Sequence, residues 1–463
     1  MHGPRIARGV AVAALLVVGL TACGGSDENG TTGPPASSAS GGAHELWSAR
    51  YDSRTPGPDT AGGVAISPDG TRVFVTGATA TIAYDAATGE EAWRAPGEFP
   101  RTGGSTAPPA IAVSPDGDTV LIAAEARVLA YAAEDGQPLW VASFGSASGH
   151  AVQARAIAFA ADGGTVYVHG SGATSGRDSD LVTAAYDAAD GTIGWTTRTG
   201  TSAGSQEMLW PGGSDSLAVA ADGSAVYATG TTRVRGHGTD FLTVALRPAD
   251  GKRIWAERYD GGQADLGAAV AVTPDGARVV VTGSGVGPAG DADMATVAYD
   301  AASADAVWFA TWDGLAHHND GAGFIAMAPD GSAVFVAGTS EGATTGHEDY
   351  ATLAYATDSG QQLWAARYDG PAGGDDNASG LAVSPDGSRV CTTGWSDGTA
   401  DGADIATVAY AAASGATSWE ARYDGTDEGD EEPGGLAVTD DAVVVNGTSD
   451  EDMVTVAYDA ADR

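Results

Sequence analysis

Three features of the sequence predict an all-β protein, an eight-bladed β-propeller of four-stranded antiparallel blades. One turn-bearing segment recurs eight times: VAISPDG at 64–70, IAVSPDG at 111–117, IAFAADG at 157–163, LAVAADG at 217–223, VAVTPDG at 270–276, IAMAPDG at 325–331, LAVSPDG at 381–387 and LAVTDDA at 436–442. Tryptophans keep the same period, at Trp47, Trp93, Trp140, Trp195, Trp255, Trp308, Trp364 and Trp419, spaced 46 to 60 residues apart. Between these markers lie short runs rich in Val, Ala, Thr and Tyr, punctuated by Gly, Pro and Asp, which is strand-and-turn composition. Four such strands repeated at about 40–60 residues build propeller blades. Seven blades is the competing count, if one copy is degenerate.

The unit is clearest in the seventh copy, where QLWAARYDG, SGLAVSPDG, SRVCTTG and DIATVAYAAASG follow one another with two intervening loops. We name the four strands d (the Trp run), a, b and c. The SPDG step between a and b is a tight turn. Proline sets φ near −65°, aspartate bonds the neighbouring backbone, and glycine takes the left-handed position. Asp69, Asp116, Asp162, Asp222, Asp275, Asp330 and Asp386 occupy this place, so they are turn residues and not catalytic acids. The repeat region starts on a d-type run, ELWSARYD at 45–52, and ends on a c-type run, MVTVAYDAA at 453–461. The last blade therefore lacks a d strand that the N-terminus can supply, and that pairing closes the ring without a free edge.

Strands c and d are joined by segments such as AYDAATGEEAW (83–93), AYDAADGTIGW (185–195) and AYATDSGQQLW (354–364). Glycine stands four residues before Trp at Gly89, Gly136, Gly191, Gly251, Gly360 and Gly415, and Ala304 takes the place in the fifth copy. This pattern resembles the tryptophan-docking repeat of the quinoprotein (PQQ-like) propellers and is similar to propeller repeats of secreted bacterial proteins. The resemblance runs over about residues 44–463. It implies that each Trp packs between neighbouring blades, as a large flat side chain filling the wedge between splayed sheets would. The family includes eight-bladed lipoproteins that act as assembly scaffolds, and dehydrogenases whose quinone site has an adjacent-Cys disulfide, a calcium and a catalytic Asp. This chain has only Cys23 and Cys391. Cys391 lies mid-strand where other copies carry Phe or Val, so a buried hydrophobe is expected there and quinone catalysis is not.

Composition narrows the partners. With 61 acidic against 22 basic residues the net charge is −39, which repels phosphate backbones and argues against nucleic acid. A hydrophobic fraction of 43% is enough for a core. The N-terminus reads as an address. Arg5 and Arg8 precede an apolar run ending at Cys23, too short for the roughly 20 residues of a membrane span and fitting a secretory signal. Leu20-Thr21-Ala22-Cys23 resembles the bacterial lipobox, which implies acylation of Cys23 and anchoring by several chains. The alternative is an ordinary signal peptide with an incidental Cys. The expected organisation is thus a signal peptide at 1–22, a lipidated Cys23 with a Gly/Ser/Thr/Pro-rich tether to 43, and the propeller at 44–463, held extracytoplasmically at the outer face of a membrane.

In an up-and-down blade the a–b and c–d turns share one end, and the d–a and b–c loops share the other. The second set is long and varied, as at 198–215, 339–349, 368–379 and 395–404. Variable loops on a rigid scaffold carry function, so this is the expected binding face. Trp210 and Trp395 fall outside the repeat positions on these loops, as candidates to stack on a sugar or anchor a protein. Acids recur there too. Asp240, Asp293, Asp349 and Asp404 stand six residues before the last strand-c aromatic or its equivalent, with Asp180, Asp452 and Glu125 in other copies. Asp265, Asp320 and Asp376 stand before strand a, with Asp59 and Glu431. These acids are expected to form rings, either capping their own turns or holding weak Ca2+ through carboxylate oxygens. His317 and His318 beside Asp320 read as a solvated loop pair. The function read from this pattern is a non-enzymatic binding or scaffold module for a protein or glycan at the cell envelope. The alternative is an envelope hydrolase or lyase with its site in the channel mouth.

Overall fold

The computed structural model describes residues 43–461, apart from 55–56, 98–107, 146–151, 174–178, 201–205, 209–212, 214, 235–237, 263, 288–289, 315–316, 343–345, 400–401 and 426–428. Eight antiparallel sheets follow one another, each built from strands a, b, c and d in spatial order. Blade 5 is representative, with a at Leu266–Val272, b at Arg278–Val286, c at Ala292–Asp300 and d at Ala306–Trp312. Among the described residues blade 4 alone has a divided strand a. Gln206–Met208 and Leu217–Val219 both pair with strand b at Val226–Val234.

The ring closes at blade 8. Glu45–Tyr51 pairs antiparallel with Asp452–Asp459 and supplies the missing d strand. The seven-blade count is not needed.

The repeated decapeptide forms the expected turn. At blade 7 the N–H of Gly387, at φ 72°, donates to the Ser384 carbonyl at 2.8 Å. Asp386 accepts from the Ser384 hydroxyl at 2.6 Å and from the Ser388 N–H at 2.8 Å. The Ser384 hydroxyl bond chiefly, then those from Ser388, hold its carboxyl down to about 2.

Seven of the eight repeat Trp are clamped to the next blade. The indole N–H donates to a backbone carbonyl of that blade's c–d turn: Trp47 to Ala86 at 2.8 Å, Trp93 to Ala133 at 2.8 Å, Trp308 to Thr357 at 2.6 Å and Trp364 to Ala412 at 2.8 Å, with the same bond at Trp140, Trp195 and Trp255. The c–d glycines adopt φ between 66° and 71°, and a Cβ on any of them would come within 2.4–2.6 Å of the docked indole. Glycine is thus required for conformation and for space together. Apolar side chains fill the gaps between blades as a series of separate clusters. Cys391 belongs to one of them, fully buried with its thiol pushed up to about 12 by burial.

Candidate functional site

Strand a of every blade is innermost, and these strands enclose a central cavity of about 2220 Å³. Its wall is mostly Gly, Ala, Val, Ile and Leu, because successive residues of a strand alternate between faces and small ones suit the crowded axis. Near the start of strand a the pairing with strand b slips by one residue in blades 1, 3, 5, 6, 7 and 8, around Gly62 and Gly63, Arg155, Ala268, Gly323, Ser379 and Gly434. Such bulges re-aim a side chain. Five of the six place small residues there, whereas blade 3 places Arg155. The Arg155 Nη2 donates to the Gln153 side chain at 3.0 Å, its Nε is buried without a partner, and burial lowers its pKa. Arg233, at the end of strand b in blade 4, also lines the cavity. Both arginines lie toward the d–a/b–c end.

The acids on that end gather into trios at the d–a crossovers, not into two rings. Asp240 meets Asp265, Asp293 meets Asp320, Asp349 meets Asp376, Asp404 meets Glu431, and Asp452 meets Asp59. A third acid that sequence reading passed over joins each pair: Asp260, Asp313, Asp369, Asp424 and Asp52 respectively. In every trio one oxygen of each member lies within 4.8 Å of those of the others. The signal for the third acid was present as the Asp that ends each d run (RYD, TWD). It was hidden because strand c, strand d and the next strand a are brought together only by the crossover. Asp180 has no such trio among the described residues and pairs with Arg198 at 3.8 Å.

The acid before strand a divides its duties. One oxygen caps the crossover loop: Asp376 Oδ2 accepts from the Gly370 N–H at 2.7 Å, Asp320 Oδ2 from Gly314 at 2.6 Å, and Asp265 Oδ2 from Gly261 and Gly262 at 2.6 and 2.9 Å. The turn-cap expectation therefore accounts for one oxygen of each carboxylate, and at Asp265 the other oxygen is also held, by the Val286 N–H at 3.1 Å. The other oxygen of Asp59, Asp320, Asp376 and Glu431 is buried without a hydrogen-bond partner.

In four of the five trios an arginine two positions before the third acid supplies the counter-charge. Arg422 is the most enclosed. It bonds Asp404 through Nε at 2.8 Å and Nη2 at 2.5 Å, and reaches Tyr368 at the end of strand d of blade 6 and Ser396 and Asp397 at the end of strand b of its own blade. Arg367 bonds Asp349, Arg258 pairs with Asp240, and Arg50 pairs with Asp452 at 2.6 Å. The fifth trio differs. Strand d of blade 5 ends FATWD, and Thr311 faces Ala295 in the register where Arg422 faces Ala406 and Arg367 faces Ala351. Burial pushes Asp293 up to about 7, with repulsion from Asp313, Asp291 and Asp320 adding to it and only His317 opposing. At Asp349 and Asp404 burial also raises the carboxyl, and there the arginine offsets it. His317 bonds Asp313 through Nδ1 at 2.7 Å, so one residue of the His pair does join the acids.

Trp395 lies within strand b of blade 7, facing Asn377 and Ile405, and not on a loop. The b and c strands here run nine residues each, so pairing continues past the point where the loop was expected to start. Its ring is half-buried, and its carbonyl accepts from the Tyr350 hydroxyl at 3.3 Å. Trp210 and Cys23 lie outside the described residues.

A sequence profile of the family described as outer membrane protein assembly factor BamB matches residues 37–180 and again 84–263. Those residues carry the Trp-to-carbonyl clamp between blades, with glycine beneath the indole at Gly89, Gly136, Gly191 and Gly251. The repeat is a PQQ-like propeller repeat. Among solved structures the PQQ-like propeller is similar to BamB from Moraxella catarrhalis, at 16% identity and a TM-score of 0.52 over 90% of this chain and 99% of that one. It is also similar to the quinohemoprotein alcohol dehydrogenase ADHIIG from Pseudomonas putida HK5, at 13% identity and a TM-score of 0.55 over 91% of this chain and 76% of that one. The quinohemoprotein alcohol dehydrogenase from Comamonas testosteroni gives 14% identity and 0.55 over 90% and 76%. At these identities the likeness is one of fold. No curated protein matches the sequence.

Proposed function

We propose that this PQQ-like propeller is a non-enzymatic binding or scaffold module, anchored at the outer side of a cell membrane through a lipid on Cys23, that docks a protein or glycan partner on its d–a/b–c face. The observation that carries this reading is the asymmetry of the two ends. The a–b/c–d end is a near-uniform set of Asp-Gly turns and Trp clamps. The opposite end collects the departures from the repeat: Arg155 on its bulge, Arg233, Trp395, and the divided strand a of blade 4. Departures from a repeat, placed around a cavity mouth on a rigid scaffold, are where recognition belongs. The match to an outer membrane assembly factor profile supports an envelope setting and a protein partner, and the lipobox-like Leu20-Thr21-Ala22-Cys23 supports the anchor.

The test is photo-cross-linking in intact cells. A photoreactive residue at position 395 or 399, on the proposed face, should capture an envelope component, and one at Ser388, on an a–b turn, should not. With Cys23→Ser the protein should leave the membrane fraction and the adducts at 395 and 399 should fall. Equal capture from both ends, or a Cys23→Ser protein that stays membrane-bound and labels with palmitate as before, would overturn the reading.

A further inference from the structure

We propose that the Asp293–Asp313–Asp320 trio, at the crossover from blade 5 to blade 6, is a binding site for one hard divalent cation of calcium's size, and that this ion takes the place of the arginine carried by the other four trios. The argument begins with the comparison among crossovers. Five trios share one backbone frame and one set of acids. Four place a guanidinium against the strand-c aspartate. At the fifth, the register puts the short, neutral Thr311 where the guanidinium would arise.

The acids left behind are buried and unsatisfied. Asp293 is 1% exposed, and neither of its oxygens has a hydrogen-bond partner. Asp320 is 2% exposed, and its Oδ1 is likewise unpartnered. The Oδ1 atoms of Asp313 and of neighbouring Asp291 are buried and unpartnered as well. A buried carboxylate without hydrogen bonds or a counter-charge is costly; Asp293 is one outright, and single unpartnered oxygens of Asp320, Asp313 and Asp291 lie with or beside it. Of the nearby positive groups, His317 is exposed and sits on Asp313 Oδ2, and Arg367 is held by Asp349.

Chemistry selects the ion. The converging oxygens lie within 4.8 Å of one another, close enough to share one ion. The donor set is all carboxylate oxygen, which suits Ca2+ and gives no purchase to thiophilic metals. Magnesium demands near-ideal octahedral geometry and dehydrates reluctantly, so it is the weaker ligand in a loop-built site. An affinity of about 10⁻⁴–10⁻³ M is in keeping with extracellular calcium modules.

The experiment uses the purified full-length chain stripped with EDTA, calcium titration by calorimetry, and terbium luminescence sensitised by Trp312, the residue next to Asp313. The wild type should bind one calcium per chain, melt higher with calcium than with equimolar magnesium, and show terbium emission that calcium quenches. Asp293→Asn should weaken calcium binding at least tenfold. Thr311→Arg rebuilds the arginine of the other crossovers. It should abolish calcium binding while melting in EDTA at or above the EDTA-stripped wild type. Absence of calcium binding by the wild type up to several millimolar, or binding that neither Asp293→Asn nor Thr311→Arg changes, would overturn the proposal. Should Thr311→Arg fail to fold, the Asp293→Asn titration decides alone.

Discussion

At the residue scale the structure turns on a few backbone positions that the repeat writes again and again. The c–d turn needs a left-handed residue, and Ala304 is held there at φ 65° while the other copies use glycine. An L-residue with a Cβ pays roughly 1–2 kcal/mol in that region, and glycine gives back part of the gain through its freedom in the unfolded chain. Ala304→Gly should therefore stabilise by about 0.5–1 kcal/mol, a Tm rise of about 1–2 °C in a chain of this size. Gly360→Ala should do the reverse and by more, because its new Cβ would stand 2.6 Å from the Trp308 ring. Differential scanning calorimetry of the two variants decides it. An Ala304→Gly protein that melts no higher than the parent, beside a Gly360→Ala protein that melts no lower, would leave the turn without the role given to it.

The element scale is that of the crossover, where three strands contribute one acid each. At the step from blade 7 to blade 8 Glu431 is fully buried. Its Oε1 accepts from Ser449 at 3.0 Å and its Oε2 has no partner. Burial, only partly offset by Ser449 and Gly425, pushes its carboxyl up to about 7. A folded-state value above the unfolded one means that the native state holds the proton more tightly. Its contribution to stability is full at low pH and is lost as pH rises from about 4.5 to 7. Glu431→Gln, which stays neutral, should match the wild type's Tm near pH 4.5 and exceed it by a few degrees by pH 7.5. A Tm difference that does not change with pH would show that Glu431 ionises freely. Asp376, pushed up to about 6 chiefly by burial, slopes in the same direction, so the difference between the two proteins is the informative quantity.

For the whole molecule, the decisive contact is the one between the ends of the described chain. Strand d of blade 8 comes from residues 45–51, and Trp47 on it docks over Gly89 of blade 1. The Trp419 indole N–H, which faces blade 8, has no acceptor among the described residues. Deleting residues 44–52 should expose the edge of the last strand and remove one clamp. We expect a cost of at least about 3–5 kcal/mol, the scale of truncating one large buried aromatic, and concentration-dependent association through the open edge. Calorimetry together with size-exclusion chromatography reads both effects. A monomeric deletion protein that melts cooperatively at the parent temperature would refute closure as a source of stability.

What the sequence by itself determined is the periodic part of this protein. The blade count, the strand order, the turn aspartates, the glycine under each tryptophan and the closing N-terminal strand were all legible, because each is a local rule repeated eight times. Repetition turns weak propensities into a strong signal. Even Trp395 was visible as a departure from the repeat, although its place within strand b followed only from how far pairing extends along blade 7. The tertiary structure alone decided which acids meet. Asp293, Asp313 and Asp320 are separated by 20 and 7 residues in the chain, on one strand, just past the end of a second and at the start of a third, and no local rule brings them together. The significance of Thr311 was equally hidden. A threonine in a strand is unremarked until the register shows that its counterparts are the arginines that neutralise the other four trios. Periodicity is a property of neighbours along the chain, whereas charge compensation is a property of neighbours in space.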